Sequence, residues 1–274
     1  MNELLSNPAI QAGVAPFVAA LVVAALLHRT RLLGLAIGAG FFTVVFLALG
    51  FSFDSLTSAR KMILAGTAAT ILVLVLELTS VQAGKAVRAA LALLAAVAAV
   101  WVVLRVLQQK ETGPALLAGA AAALYLAALV ESGNRAGDDS VRAASGALML
   151  GLCSGGLALL GASASLAQVG IAIGASSGAT LLMQMLTGKQ APTGWTLALP
   201  ATVVAGLVGL LAVFTGSLPW YCLLPTLAIP WAPRVVPAGK WPVWLTAFLG
   251  ALAALVPMLL AVAIAWFTAG SSST

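Results

Sequence analysis

The chain has 274 residues, of which 62% are hydrophobic and only 7% are charged. A soluble domain carries about a quarter charged residues because its surface faces water, so this composition excludes a soluble globular protein. The formal net charge is +6, but the basic residues are scattered singly between apolar runs, which is typical of membrane loops rather than of a nucleic-acid-binding surface. We therefore expect an all-helical integral membrane protein that contacts the lipid bilayer and no nucleic acid.

Ten apolar runs follow one another along the chain, and their residues do not alternate in polarity, which predicts membrane-spanning helices rather than strands. The ninth run is short and holds Pro219, Pro225 and Pro230, so a kinked span, a re-entrant segment and an interfacial loop all stay open for it. In chain order the predicted spans are Ile10–Leu27, Leu32–Gly50, Met62–Ser80, Ala89–Leu107, Pro114–Val130, Ser145–Ala162, Leu166–Leu186, Trp195–Thr215, Leu218–Ala232 and Trp241–Phe267.

The distribution of Lys and Arg predicts the orientation of these spans. If all ten runs cross, the odd-numbered loops carry nine basic residues and the even-numbered loops carry four. Cytoplasmic loops are enriched in basic residues, so we expect the odd-numbered loops in the cytoplasm and both termini outside, in a bacterial cytoplasmic (inner) membrane. Without the ninth crossing the tally would be seven against six, so the tally favours ten crossings.

The longest hydrophilic stretch, residues 131–145, follows the fifth span and lies near the midpoint of the chain. It predicts an N-terminal five-helix half over residues 1–131, a polar linker over 132–145 and a C-terminal five-helix half over 146–274. Asp138 and Asp139 are expected to be solvated residues of this linker.

The two halves also share a short sequence match. The run GLAIGAG at residues 34–40 corresponds to GIAIGAS at residues 170–176, and a weaker match joins the third and eighth spans at nearly the same offset. Two copies with five spans each enter the membrane from opposite sides. The match therefore predicts an inverted repeat, the arrangement of many secondary transporters, in which the solute binds where the halves meet.

Polar side chains inside the spans are the candidate substrate-binding residues, because polar groups are costly in lipid. Glu77, near the end of the third span, is the only candidate coupling carboxylate; its alternative role is an interfacial partner of Lys85 or Arg88. The other candidates lie in the sixth span or at spacings of three and four in the seventh. They are Ser154, Ser176, Ser177, Thr180 and Gln184.

Close helix packing is the competing explanation for these polar positions. Gly34 with Gly38, and Gly170 with Gly174, form small-xxx-small pairs that let helix backbones approach each other. Hydroxyl groups beside such pairs commonly bond to neighbouring backbone. The pattern therefore predicts helix packing at these four glycines, whether or not a solute also binds nearby.

Few residues could hold a cofactor or perform catalysis. The chain has one histidine, His28, and two cysteines, Cys153 and Cys222, that lie in apolar runs. We find no metal-ligand spacing and no nucleophile or phosphate-loop motif, so we expect no cofactor, no metal and no enzymatic activity.

These features predict a small transporter or permease that moves an unidentified small solute by alternating access, with the site between the second, third, seventh and eighth spans. The alternative is a non-catalytic scaffold or anchor subunit of a larger membrane complex. Its partners would be other membrane subunits or a second copy of this chain.

Overall fold

The computed structural model describes residues 7–50, 56–79, 84–136, 139–161, 163–191, 195–216, 218–237 and 241–271. In these ranges the regular structure is entirely helical, and nine helices are long and apolar enough to cross a membrane, which confirms the all-helical membrane class. They are α1 (Ile10–Leu27), α2 (Arg31–Leu49), α3 (Ser58–Leu78), α4 (Lys85–Leu107), α5 (Thr112–Ala136), α6 (Ser140–Leu160), α7 (Ala164–Thr187), α8 (Trp195–Thr215) and α9 (Val243–Ser271).

Local capping interactions define several of the helix ends. The Thr57 hydroxyl accepts a hydrogen bond from the Arg60 N–H at the start of α3, at 3.4 Å. Thr30 caps the first turn of α2 in the same way. At the other end of a helix, Gly188 adopts a left-handed conformation with φ 63° and terminates α7, a position that favours glycine because it has no Cβ. Such caps permit short connections between neighbouring helices.

The ninth predicted span does not form a long α-helix. Residues 218–237, which we call the 3-10 segment, contain three 3-10 turns, Trp220–Leu223, Pro225–Ala228 and Ala232–Val235. Proline has no N–H to donate in an α-helical ladder, and the hydrogen bonds here join residues three apart. Examples are Cys222 N–H to the Pro219 carbonyl and Leu227 N–H to the Leu224 carbonyl, both at 3.2 Å.

The 3-10 segment runs alongside α5 from one end of the bundle towards the other. Its first residues line a groove together with Lys110, just before α5. Its middle is held to α5 by a hydrogen bond of 2.9 Å between the Tyr125 and Thr226 hydroxyl groups. Near its end, the Val236 carbonyl accepts a hydrogen bond from the Arg142 guanidinium, in the first turn of α6.

The helix ends alternate between two faces of the bundle. We call one of them the basic face; α3, α5 and α7 end there, and α4, α6 and α8 begin there. Among the described residues the opposite face carries four basic residues and the basic face carries eight, which are Arg29, Arg31, Lys85, Arg88, Arg135, Arg142, Lys189 and Arg234.

Helices α6 and α7 form the closest helix pair in the core. A Cβ on Gly170 would overlap the backbone nitrogen of Gly155, and a Cβ on Gly151 would overlap that of Gly174. The two backbones are therefore in direct contact, as small residues allow. The sequence-predicted packing residues Gly170 and Gly174 both lie in this contact.

The other two predicted packing glycines lie on α2. Gly38 packs against α3, where an added Cβ would be 2.6 Å from the Thr70 Cγ2 atom. Gly34 is buried in the 3-10 turn that opens α2. All four glycines are therefore placed in the protein interior.

The predicted polar linker is mostly helix where it is described, because α5 continues to Ala136 and α6 begins at Ser140. Asn134 and Ser145 are buried. Asp139 is also buried rather than solvated; its carboxylate accepts hydrogen bonds from Val141 N–H and Arg142 N–H and caps α6. These polar side chains therefore lie in the interior of the protein rather than in water. Asp138 lies outside the described residues.

Contacts cross the predicted boundary between the halves. Helix α2 packs on α7 and α3 packs on α8, which is compatible with an in-plane two-fold axis. However, α6 also packs on α8 and α9, and the corresponding helix α1 makes no comparable contact with α3 or α5 among the described residues. The inverted repeat and the division into two halves stay predictions.

Candidate anion-binding site

A cavity of about 860 Å³ opens on the basic face between the start of α4, the end of α5 and the end of the 3-10 segment. We call it the basic pocket. Small-molecule sites usually measure roughly 300–1,000 Å³, so its size suits a small solute. Its lining residues are Lys85, Arg88, Ala89, Ala92, Glu131, Arg135 and Arg234.

The part of the basic pocket's lining that the structure describes carries four cationic side chains and one carboxylate. Arg135 Nε lies 2.7 Å from Glu131 Oε1, and this pair is partly exposed. Neither Lys85 nor Arg88 has a carboxylate within ion-pair distance in the described part of the chain, and the buried Arg88 Nε has no acceptor there. Among the described lining residues, the cationic side chains therefore outnumber the carboxylate, which favours a positive potential in the pocket.

The position of Lys85 and Arg88 adds to this potential. Both lie in the first turn of α4, where there is no acidic residue, and the capping residue Gly84 offers no side-chain acceptor. A helix N-terminus carries a partial positive charge, so basic residues there are unfavourable and an anion is favourable. The start of α4 is therefore suited to an anion, as helix N-termini often are.

Trp231 positions the other two cations. The Arg234 guanidinium carbon lies 4.2 Å from the centroid of the Trp231 ring, and that of Arg135 lies 5.9 Å from it. These are cation–π distances. Because the 3-10 segment presents Trp231 beside the end of α5, one ring holds guanidinium groups from two different elements at the pocket.

A second cavity, which we call the apolar groove, has a volume of about 800 Å³ and lies between α5, α8 and the 3-10 segment. Its lining is largely apolar and includes Ala121, Tyr125, Ala128, Leu210 and Leu224. Lys110 lies among its lining residues and belongs to the opposite face of the bundle.

The sequence-predicted site hydroxyls lie elsewhere, on α6 and α7, where Ser154 adjoins Gly170 and Ser176 packs against Gly40 of α2. Ser176, Ser177 and Thr180 are fully buried. Their hydroxyls donate to carbonyls of their own helix at 2.6, 2.8 and 2.8 Å, and Ser154 Oγ donates to the Gly151 carbonyl at 3.0 Å. None of these residues lines the basic pocket or the apolar groove. This is the geometry that helix packing predicts, and solute binding by these four stays a prediction.

The two remaining candidates lie near the basic face. Gln184 Oε1 accepts hydrogen bonds from Ser140 Oγ at 2.7 Å and Ala191 N–H at 3.2 Å, so it joins the end of α7 to the start of α6. Glu77 is buried in the last turn of α3 and lines neither the basic pocket nor the apolar groove. A role for Glu77 in coupling stays a prediction.

The sequence analysis treated Lys85, Arg88, Arg135 and Arg234 as charges that set orientation, and Lys85 or Arg88 also as an alternative partner of Glu77, but not as parts of one site. The sequence feature that could have indicated a shared site is that all four belong to odd-numbered loops, which are predicted to lie on one face of the membrane. Their convergence in a single pocket depends on the path of the 3-10 segment, which sequence patterns did not define.

No protein-family model, curated protein or solved structure matches this chain. Its function therefore has to be inferred from the chemistry of its own residues.

Proposed function

We propose that this protein is a small membrane transporter that binds an anionic solute in the basic pocket. The observation that carries the proposal is the convergence of Lys85, Arg88, Arg135 and Arg234 around a cavity at the N-terminus of α4, with Glu131 as the one carboxylate among the described lining residues. Charge-assisted hydrogen bonds from such groups bind carboxylates and phosphates well.

The proposal includes ten membrane crossings, of which the 3-10 segment is one. A 3-10 helix rises about 2 Å per residue, so residues 218–236 can extend roughly 36 Å, more than the hydrocarbon thickness of about 30 Å. The cavity that its first residues share with Lys110 at one end and the hydrogen bond from Arg142 at the other support this path. Non-helical backbone is tolerated at membrane depth where it packs within protein.

With ten crossings, the excess of basic residues on the basic face supports our proposal that this face is cytoplasmic and that both termini lie outside a bacterial inner membrane. Alkaline phosphatase fused to the C-terminus should then be active, and green fluorescent protein fused there should be dark. A fusion after Lys189, on the basic face, is the control and should give the reverse. A fluorescent C-terminal fusion would contradict the tenth crossing.

We propose alternating access as the mechanism. The backbone contact between α6 and α7 makes this pair a rigid unit, whereas α4 and α5 pack chiefly on each other. Rocking of the α4–α5 pair against the rest of the bundle would move the two helices that carry three of the four cations. Glu77, on α3, is the carboxylate that we propose for ion coupling.

Transport of a small anion tests the function directly. We expect proteoliposomes to take up radiolabelled glycerol 3-phosphate saturably at low ionic strength. The double variant Arg88→Gln/Arg135→Gln should reduce the rate at limiting substrate at least tenfold, because a hydrogen bond to a charged group contributes about 1.5–3 kcal/mol.

The matched control is Arg29→Gln/Lys189→Gln, which removes two exposed positive charges from the basic face outside the pocket. It should retain uptake within twofold of the wild-type rate. Equal losses in the two double variants would indicate a general surface-charge effect and would contradict the site. Absence of any saturable uptake, together with stable co-purification of other membrane proteins, would favour a scaffold subunit instead.

A further inference from the structure

The basic pocket and the apolar groove lie one after the other along the boundary between α5 and the 3-10 segment, which we call the seam. Both lie between α5 and the 3-10 segment. On α5, Ala128 lines the groove and Glu131, one turn later, lines the pocket. On the 3-10 segment, Leu227 lines the groove and Arg234 lines the pocket. The lining residues of the two cavities therefore follow one another along both elements, from an apolar part to a cationic end.

The length of this seam matches the depth of a membrane. On α5 the lining extends from Ala118 to Arg135. At 1.5 Å per residue this distance is about 26 Å, which is close to the hydrocarbon thickness of about 30 Å. The groove also opens sideways: Leu124 is 71% exposed and Leu224 is 53% exposed at its edge. A hydrocarbon chain can therefore enter it from the bilayer.

Trp231 lies on the 3-10 segment between the residues that line the groove and Arg234. Its ring is 39% exposed and carries the guanidinium groups of Arg234 and Arg135 near its face. Tryptophan prefers the level of lipid headgroups. The position of Trp231 therefore indicates that the cationic end of the seam lies at the level of the lipid headgroups.

We propose that the anionic group recognised by the basic pocket is the phosphate of a membrane lipid whose chains lie in the apolar groove. A free anion would occupy the pocket and leave the adjoining groove unused. A lipid without net charge would not balance the charges of Lys85 and Arg88, which have no carboxylate within ion-pair distance among the described residues. Basic pockets between membrane helices on the cytoplasmic side suit anionic headgroups. This inference rests on the proposed function because it assigns a substrate class to the same pocket.

Short-chain ligands separate the contributions of head and chains. The purified protein in detergent is titrated with dioctanoyl phosphatidic acid, with dioctanoyl phosphatidylcholine, which has the same chains without net charge, and with glycerol 3-phosphate, which has no chains. The dissociation constant is obtained from the shift in thermal unfolding. We expect dioctanoyl phosphatidic acid to bind at least tenfold more tightly than either of the other two.

Variants then assign each part of the ligand to its cavity. Arg88→Gln/Arg135→Gln should weaken phosphatidic acid binding at least tenfold, with Arg29→Gln/Lys189→Gln as the charge control. Lys85→Gln/Arg135→Gln, at two exposed positions, should give the same loss and replaces the first variant if that variant does not fold.

Filling the groove tests the chain site. Ala121 and Ala128 are exposed positions in its lining, and Ala121→Trp/Ala128→Trp should weaken phosphatidic acid binding at least fivefold while leaving glycerol 3-phosphate binding unchanged. The control, Leu116→Trp/Leu117→Trp, introduces the same side chain at exposed positions on α5 outside the groove and should have no effect.

The outcomes distinguish this inference from the proposed function. If glycerol 3-phosphate is taken up but phosphatidic acid binds no more tightly, or if the groove variants bind it normally, the lipid assignment is wrong and the small-anion transporter stands. If phosphatidic acid binds in a pocket- and groove-dependent manner without uptake of glycerol 3-phosphate, the small-anion transporter is wrong and the lipid site stands. If no ligand responds to the pocket variants, both are wrong.

Discussion

Replacement of Gly170 by alanine is expected to lower the free energy of unfolding by about 2 kcal/mol. The new Cβ would overlap the Gly155 backbone nitrogen and would also lie 2.6 Å from the Gly155 Cα. Backbone atoms of a helix cannot rotate away as a side chain can, so α6 and α7 must move apart. Overpacking of this kind costs about 1–3 kcal/mol, which exceeds the gain of roughly 0.5–1 kcal/mol from replacing a helical glycine by alanine.

Gly156→Ala is the matched control for this prediction. Gly156 lies next to Gly155 on α6, but an added Cβ there would be 3.5 Å from Val262 Cγ2, an ordinary contact. We expect this variant to be unchanged or slightly stabilised in the same thermal or denaturant unfolding measurement in detergent. If the two variants unfolded alike, the direct backbone contact between α6 and α7 would not be a main source of stability.

Replacement of Arg142 by alanine is expected to cost about 3 kcal/mol. The Arg142 guanidinium donates a hydrogen bond to the Val236 carbonyl, and its Nε lies 3.6 Å from Asp139 Oδ2. The two charged side chains are only 16% and 11% exposed. Removal of Arg142 leaves the poorly solvated Asp139 carboxylate with only two backbone N–H groups as partners, which is costly. It also detaches the end of the 3-10 segment from α6. Unfolding in detergent measures the loss.

A double-mutant cycle isolates the ion pair. Asp139→Asn removes the charge but keeps a side chain that caps helices well, so it should leave the start of α6 intact. We expect the Arg142→Ala/Asp139→Asn protein to lose less stability than the sum of the two single variants, because residues in contact are not additive. Additive losses would indicate that Asp139 acts only as the cap of α6.

The sequence predicted the helical membrane class and most helix bounds well, because the cost of exposing charges to lipid is visible in composition alone. It also pointed to Gly170 and Gly174, since closely packed membrane helices require small residues at regular spacing. The hydroxyls beside these glycines looked equally suited to a cavity or to packing. Only the observed hydrogen bonds, such as Ser177 Oγ to the Ile173 carbonyl, place them within their own helix.

The other features of the fold and of the candidate site depend on long-range contacts that no local sequence pattern encodes. Asp139 looked solvated because its neighbours are polar, yet the fold supplies the Arg142 side chain and two backbone N–H groups as partners. The ninth run was correctly identified as unusual from its prolines, but its 3-10 form and its path along α5 follow from contacts with Tyr125 and Arg142. The basic pocket depends on that path.

The 3-10 segment has a consequence for biosynthesis. Prolines at positions 219, 225, 230 and 233 interrupt its hydrogen-bond ladder, and backbone groups without partners cost several kcal/mol each in hydrocarbon. If this segment is the proposed ninth crossing, we expect it to enter the bilayer together with α9, against helices that have already been inserted. The end of the chain would then use the earlier helices as its template.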